Sequence, residues 1–125
     1  MPMNSYENEE YNGWTNRETW SMNLWITNEP HWDEHARKLA CSVVWRYVQT
    51  PNPERDIQRA IYDLELDIEK YFEEEFSWEY VKDNENLYNV VREIGSLDRV
   101  NWHEIAEHFY HDAAWETNKN LFRLP

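Results

Sequence analysis

The densest grouping of side chains able to bind a metal or move a proton is His103-Glu104-Ile105-Ala106-Glu107-His108-Phe109-Tyr110-His111-Asp112. A zinc-protease helix needs His-Glu-x-x-His, which sets two imidazoles four residues apart on one face with the glutamate beside them as general base. Here the fifth position is Glu107, so that motif is not formed. Glu104, His108 and His111 still share a helix face at four- and three-residue steps, which makes them the candidate ligands for a divalent ion. The same three residues also fit a solvated face opposite Ile105 and Phe109. We take that second reading, so no metal and no cofactor are expected.

Nucleophilic chemistry has little to work with. The single cysteine, Cys41, sits beside Val43, Val44 and Trp45, where a small buried residue is expected rather than a thiolate in an electropositive, open site. The two glycines, Gly13 and Gly95, lie more than eighty positions apart, so no glycine-rich phosphate loop can be built. Carboxylate pairs are so abundant that none singles out an acid and base couple. The chain is therefore expected to bind rather than to catalyse.

Charge says what it would bind. The 125 residues hold 25 acids and 12 bases, a formal net charge of −13. Direct binding to a phosphate backbone needs clustered Lys and Arg that release counterions, so nucleic acid is excluded as a direct ligand and a basic protein is favoured. Ten acids against four bases fall in residues 51–82, whereas residues 16–50 balance. Asp56, Asp63, Asp67 and Glu74 fall on one line of a helix that rises about 1.5 Å per residue, with spacings comparable to phosphates along a strand. With Glu69 and Glu73 they form the candidate partner-binding surface. The alternative is an ordinary solvated face that keeps a small protein soluble.

These side chains need helices to position them. Residues 1–11 lack apolar periodicity and are expected to be a disordered acidic tail ahead of one compact all-α domain, 12–125, of about five helices. Thr15-Asn16-Arg17-Glu18 reads as a capping box that opens a helix over about 16–28, with Glu18 reaching back to the cap. The alternation of Trp20, Met22, Leu24 and Ile26 competes as a strand, but no second alternating segment exists to pair with it. A second helix, about 31–49, carries Trp32, Ala36, Leu39, Ala40, Val43 and Tyr47 on one face. It carries Cys41, Trp45 and Val48 on the other, a face expected to be covered by another helix or by a second copy of the chain. Pro53 opens a third helix to residue 75 with a stripe of Ile57, Ile61, Leu64 and Ile68. An aromatic connection over 76–80 leads to a fourth helix, 84–94, stopped by Gly95. Asn101 caps a fifth, 102–117, whose apolar face is Trp102, Ile105, Ala106, Phe109 and Ala113, with Glu104 completing a second box.

The opening run NGWTNRETWSMNLW remains ambiguous as a helix. Trp20 and Leu24 fall together, Trp25 lies about a third of a turn away, and Met22 with Ile26 lies on the far side. Trp20 and Leu24 are expected in the core, and Trp25 is an additional candidate for an exposed anchor.

The run Tyr11-Asn12-Gly13-Trp14-Thr15-Asn16-Arg17-Glu18-Thr19-Trp20, continuing through Asn23-Leu24-Trp25-Ile26, resembles the opening of a family of small proteins carried by tailed phages and other mobile elements. Val100-Asn101-Trp102-His103-Glu104-Ile105-Ala106-Glu107 is similar to that family's second recurring segment. The resemblance implies no activity and no catalytic residues, only a setting: a phage-borne accessory protein directed at host defence or regulation. Charge and resemblance together lead to the expectation of an inhibitor. It would act on a host protein with a basic surface that handles nucleic acid, in the cytoplasm, by presenting an acidic helix. The alternatives are an adaptor that binds through exposed tryptophans, and a metal-dependent hydrolase. Cytoplasmic location is expected because one cysteine allows no internal disulfide and because the acidic N-terminus does not read as a signal peptide. No stretch is apolar enough for a membrane span, and a homodimer is the other partner considered.

Overall fold

The computed structural model describes residues 10–51 and 53–123, with side chains described except at 53–54 and 118–123. Among the described residues the chain is helical throughout: α1 Arg17–Asn28, α2 Pro30–Val48, α3 Pro53–Glu75, a one-turn α4 Trp78–Val81, α5 Glu85–Ile94 and α6 Trp102–Arg123. A 3-10 turn, Leu97–Arg99, joins α5 to α6. The all-α expectation holds. Beta pairing among the described residues is confined to one isolated bridge between Tyr11 and Trp14.

Helices α2, α3 and α6 pack on one another as the central three-helix layer, and α1 lies against α2 and α5. The stripe of α3 sets the core: Ala60, Ile61, Leu64, Ile68 and Phe72 are fully buried at three- and four-residue steps. Against it lie Ala36, Ala40 and Val43 of α2 and Ile105, Ala106 and Phe109 of α6. At one end the aromatic rings meet. Trp32 stands edge-on to Phe72 at 5.7 Å and to Phe76 at 5.4 Å, and Trp102 stacks on Phe72 at 6.1 Å. The end of α3 therefore meets the beginnings of both α2 and α6, which makes α3 antiparallel to its two neighbours.

One residue separates α1 from α2. Pro30 disfavours helical backbone in the residue before it, so Glu29 is extended at φ −99° and ψ 108°. Its N–H donates to the Trp25 carbonyl at 3.0 Å while its carboxylate accepts from the His31 N–H at 3.3 Å. The same residue thus ends one helix and caps the next.

Several expectations need correction. The buried face of α1 is Thr19, Met22 and Ile26, not Trp20 and Leu24. Leu24 is exposed, and Trp20 is half-buried against the ring of Tyr11 at 5.0 Å. Tyr11 is accordingly not part of a free tail: its N–H and carbonyl both bond to Trp14, at 2.8 Å each. Asn12 at φ 49° and Gly13 at φ 88° sit between them in left-handed backbone, the conformations a tight two-residue hairpin turn requires. The rest of the expected tail, residues 1–9, lies outside the described residues. The connection at 76–80 closes into α4, and α6 runs past the expected end at 117.

The second face of α2 is also different. Cys41, Trp45 and Val48 are exposed, and Trp45 keeps 50% of its surface. The core contacts of α2 run through Trp32, Ala36, Ala40, Val43 and Val44, while Cys41 lies at the edge of α6 in a pocket with Phe109, Asp112 and Ala113. Because it is exposed, Cys41 is expected to react stoichiometrically and within minutes with a bulky aromatic disulfide reagent under native conditions. The measurement is the absorbance of the released thiolate. Reaction only after denaturation would show the face to be covered.

Candidate functional site

The segments around Thr15–Thr19 and Arg99–Glu104 meet at the N-termini of α1 and α6. Asn16, extended at φ −158°, is the N-cap of α1: its Oδ1 accepts from the Thr19 N–H at 2.8 Å and from the Thr19 hydroxyl at 2.7 Å. Its Nδ2 donates across the fold to the Arg99 carbonyl at 2.8 Å. The fully buried Thr19 hydroxyl in turn accepts from the Asn101 N–H at 2.8 Å. Asn101 caps α6 by accepting from the Glu104 N–H at 3.1 Å, and its Nδ2 donates to the Thr15 hydroxyl at 3.2 Å. The Thr15 N–H donates to Glu104 Oε1 at 2.9 Å.

The two expected capping boxes are thus replaced by a shared one. Thr15 is not the cap of α1. Glu18 does not reach back but pairs with Arg99 at 2.9 Å. Glu104 serves Thr15 rather than its own cap residue. The tertiary partners prevail because they satisfy donors from both chain segments at once, where a local box serves one helix. Arg17 completes the joint by donating to the carbonyls of Glu93 and Ile94, both at 3.0 Å, at the C-terminal end of α5 where a cation is favoured. A Cβ on Gly95, which stands at φ +96°, would lie 2.9 Å from the Arg17 guanidinium. In this joint the side chains of Asn16, Thr19 and Asn101 are all hydrogen-bonded. Its polar groups hold the fold together.

The face of α6 above the joint carries the expected metal candidates. Glu104, Glu107, His108, His111 and Asp112 line an open groove of ≈ 480 Å³. Glu104 is turned to Thr15, and the His108 imidazole is stacked on Trp14 at 4.4 Å with 28° between the planes. Among the described residues no three His, Cys, Asp or Glu side chains are placed to share a metal ion. His103, one turn before Glu107 and 3.7 Å from its carboxylate, bonds to Glu65 of α3 at 2.9 Å.

The acidic row of α3 is divided. Asp63 accepts a short hydrogen bond from the Tyr47 hydroxyl and pairs with Arg46 at 3.7 Å, and Asp56 pairs with Arg55 at 3.5 Å. Asp63 is thus engaged from α2 and Asp56 by its own neighbour on α3, so both carboxylates already have partners. Glu75 bonds to Tyr71, whose hydroxyl is pushed up to about 12 by burial and then by the charge and hydrogen bond of Glu75. Asp67, Glu73 and Glu74 are exposed, Glu69 is half-buried, and none of the four has an ion pair among the described residues. Burial, then Glu73 and Glu65, raise Glu69 above the usual carboxylate range. Glu73 and Glu74 also stand in a last turn with no basic residue, at the negative end of the helix dipole. Trp25, the remaining candidate, is half-buried and packs against the core.

Residues 7–113 match the sequence model of DUF7249, a family of unknown function, and the chain belongs to it. No curated protein and no solved structure matches the chain. The match spans every residue of the polar joint and the acidic half of α3.

Two expected outcomes test these assignments. Thr19→Val removes the hydroxyl that serves Asn16 and Asn101 together and should cost about 1–3 kcal/mol in urea unfolding; an unchanged midpoint would show the joint to be dispensable. Glu69, raised in the folded state, favours folding when protonated, and that contribution disappears as pH rises through its folded value. Glu69→Gln should therefore stabilise the fold at neutral pH by about 0.4–1 kcal/mol, from two like-charge contacts of about 0.2–0.5 kcal/mol each, and lose its advantage below pH ~4. Thermal melts at the two pH values read the difference.

Proposed function

We propose that the chain is a non-enzymatic binding protein that holds a positively charged partner against the C-terminal half of α3. The observation that carries this reading is the set of four carboxylates, Asp67, Glu69, Glu73 and Glu74, without an ion pair among the described residues, two of which, Glu73 and Glu74, stand in the last turn of the helix where negative charge is unfavourable. Each such charge costs about 0.3–1 kcal/mol at an exposed helix terminus. A cationic partner relieves that cost. The four charges fall at steps of about 3, 6 and 1.5 Å along the axis and on two faces, Asp67 with Glu74 and Glu69 with Glu73, so they form a charged patch around the end of α3 and not an evenly spaced row. A protein that grips nucleic acid through clustered Lys and Arg carries the complementary charge and is the target class proposed. The phage setting implied by the opening segment makes a host protein of that kind the proposed partner.

A second reading, an adaptor that binds through tryptophans, is favoured by the exposure of Trp45, Trp78 and Trp115, the last two at 68% and 67%. These are not the tryptophans of the opening segment. Metal-dependent hydrolysis is not carried forward, because Glu104 and His108 are both engaged elsewhere.

Capture of partners from a host lysate separates the readings. Reversal of Asp67, Glu73 and Glu74 to lysine leaves Asp63 bound to Tyr47 and should leave the fold unchanged by circular dichroism. Capture should be lost in that variant, and in the parent it should weaken steeply between low and physiological salt, because exposed charges are screened within about 8–10 Å. Capture that persists in the triple variant and in high salt would instead favour the tryptophan surface.

A further inference from the structure

The groove between α4 and α5 is lined by Trp78, Val81, Lys82, Asp83, Glu85 and Tyr88 and encloses ≈ 520 Å³. Its aromatic rings are not spent on the core. Trp78 is 68% exposed and Tyr88 43%, and Tyr80 beside them is 64% exposed, while Trp32, Phe72 and Trp102 fill the interior. The surroundings are strongly acidic: residues 73–88 hold six carboxylates and one base, Lys82, which is paired with Glu79 at 3.7 Å. Asp83 and Glu85 on the groove wall have no ion pair among the described residues. An apolar occupant would strip water from these carboxylates without replacing it. A phosphate-bearing occupant would be repelled.

A guanidinium satisfies both parts of the groove. Its plane stacks on an aromatic face, and its edge donates in parallel to a carboxylate, where an ammonium offers only a point charge. The chain already makes this contact once, with the Arg92 guanidinium 5.8 Å from the centre of the Tyr88 ring. We propose that the α4–α5 groove docks an arginine-bearing segment of a partner protein, with Trp78 as the stacking platform and Asp83 and Glu85 as the charge acceptors. This rests on the reading of the chain as a binder of basic partners and adds the residue type recognised. The groove begins at Trp78, three residues after α3 ends at Glu75.

The test uses two synthetic octapeptides of equal charge, one alternating arginine with glycine and the other lysine with glycine, titrated calorimetrically into the full chain at fixed ionic strength. The arginine peptide should bind about fivefold more tightly, in line with cation–π contacts at exposed sites. Trp78→Ala should bring it down to the level of the lysine peptide and leave the lysine peptide unchanged. The double variant Asp83→Asn, Glu85→Gln should weaken both peptides. Equal binding of the two peptides, a preference that survives Trp78→Ala, or no binding of either would overturn the groove as an arginine site. If lysate capture by the carboxylates of α3 is still salt-sensitive in that event, the broader reading stands without it. An arginine preference retained in a chain whose α3 reversal has no effect would place recognition in the groove alone.

Discussion

The buried hydroxyl of Thr19 joins the two ends of the fold. It donates to the cap residue of α1 and accepts from the N–H of the cap residue of α6, so each helix start is capped by its own asparagine and the two caps are tied to one another. Each orphan N–H at a helix start needs a partner when water is excluded, and a buried one left unpaired costs about 1–3 kcal/mol. Because 82 residues separate Thr19 from Asn101, closing this joint fixes the relation of nearly the whole chain. Arg17 extends the same constraint to α5, and the stacking of Trp14 on His108 extends it to the exposed side of α6.

With the helix starts tied in this way, the core needs only modest stripes from three central helices, and the aromatic contacts of Trp32, Phe72, Phe76 and Trp102 secure the opposite role, holding the end of α3 against α2 and α6. The surface that remains is uneven in charge. Carboxylates beside α2 and α6 are used internally through Arg46, Tyr47 and His103, and Glu75 bonds to Tyr71, whereas Asp67, Glu73 and Glu74 have no ion pair among the described residues. The fold thus holds uncompensated negative charge on a rigid support, next to exposed aromatic rings. That juxtaposition motivates the proposed binding role.

Much of this was legible in the sequence where one helix carries one apolar stripe. The bounds of α3 follow from Pro53 and the spacing of Ile57, Ile61, Leu64 and Ile68, and the buried face of α6 follows from the steps between Trp102 and Ala113. Helix α1 was harder because size and hydrophobicity favour Trp20 and Leu24, while the orientation is decided by hydrogen bonds of Thr19 to a segment far along the chain. The second face of α2 could not be read because a stripe does not tell how many neighbours a helix will have. A helical wheel places Asp63 with Asp67 and Glu74, yet it cannot show that Arg46 and Tyr47 reach only the first of these. One signal was present and unused: Asn12-Gly13 marks a tight hairpin turn, which would have fixed Tyr11 beside Trp14.

The most direct measurement of the joint is native-state hydrogen exchange at the amides of Thr19 and Asn101, two N–H groups at helix starts that would ordinarily be among the fastest to exchange. If the shared caps hold the fold as described, both amides exchange only through global unfolding, with the same free energy as the core amides of Ile61 and Ile105. Exchange of either one by local opening, well below the global free energy, would contradict the account and leave the two helix starts as independent ends.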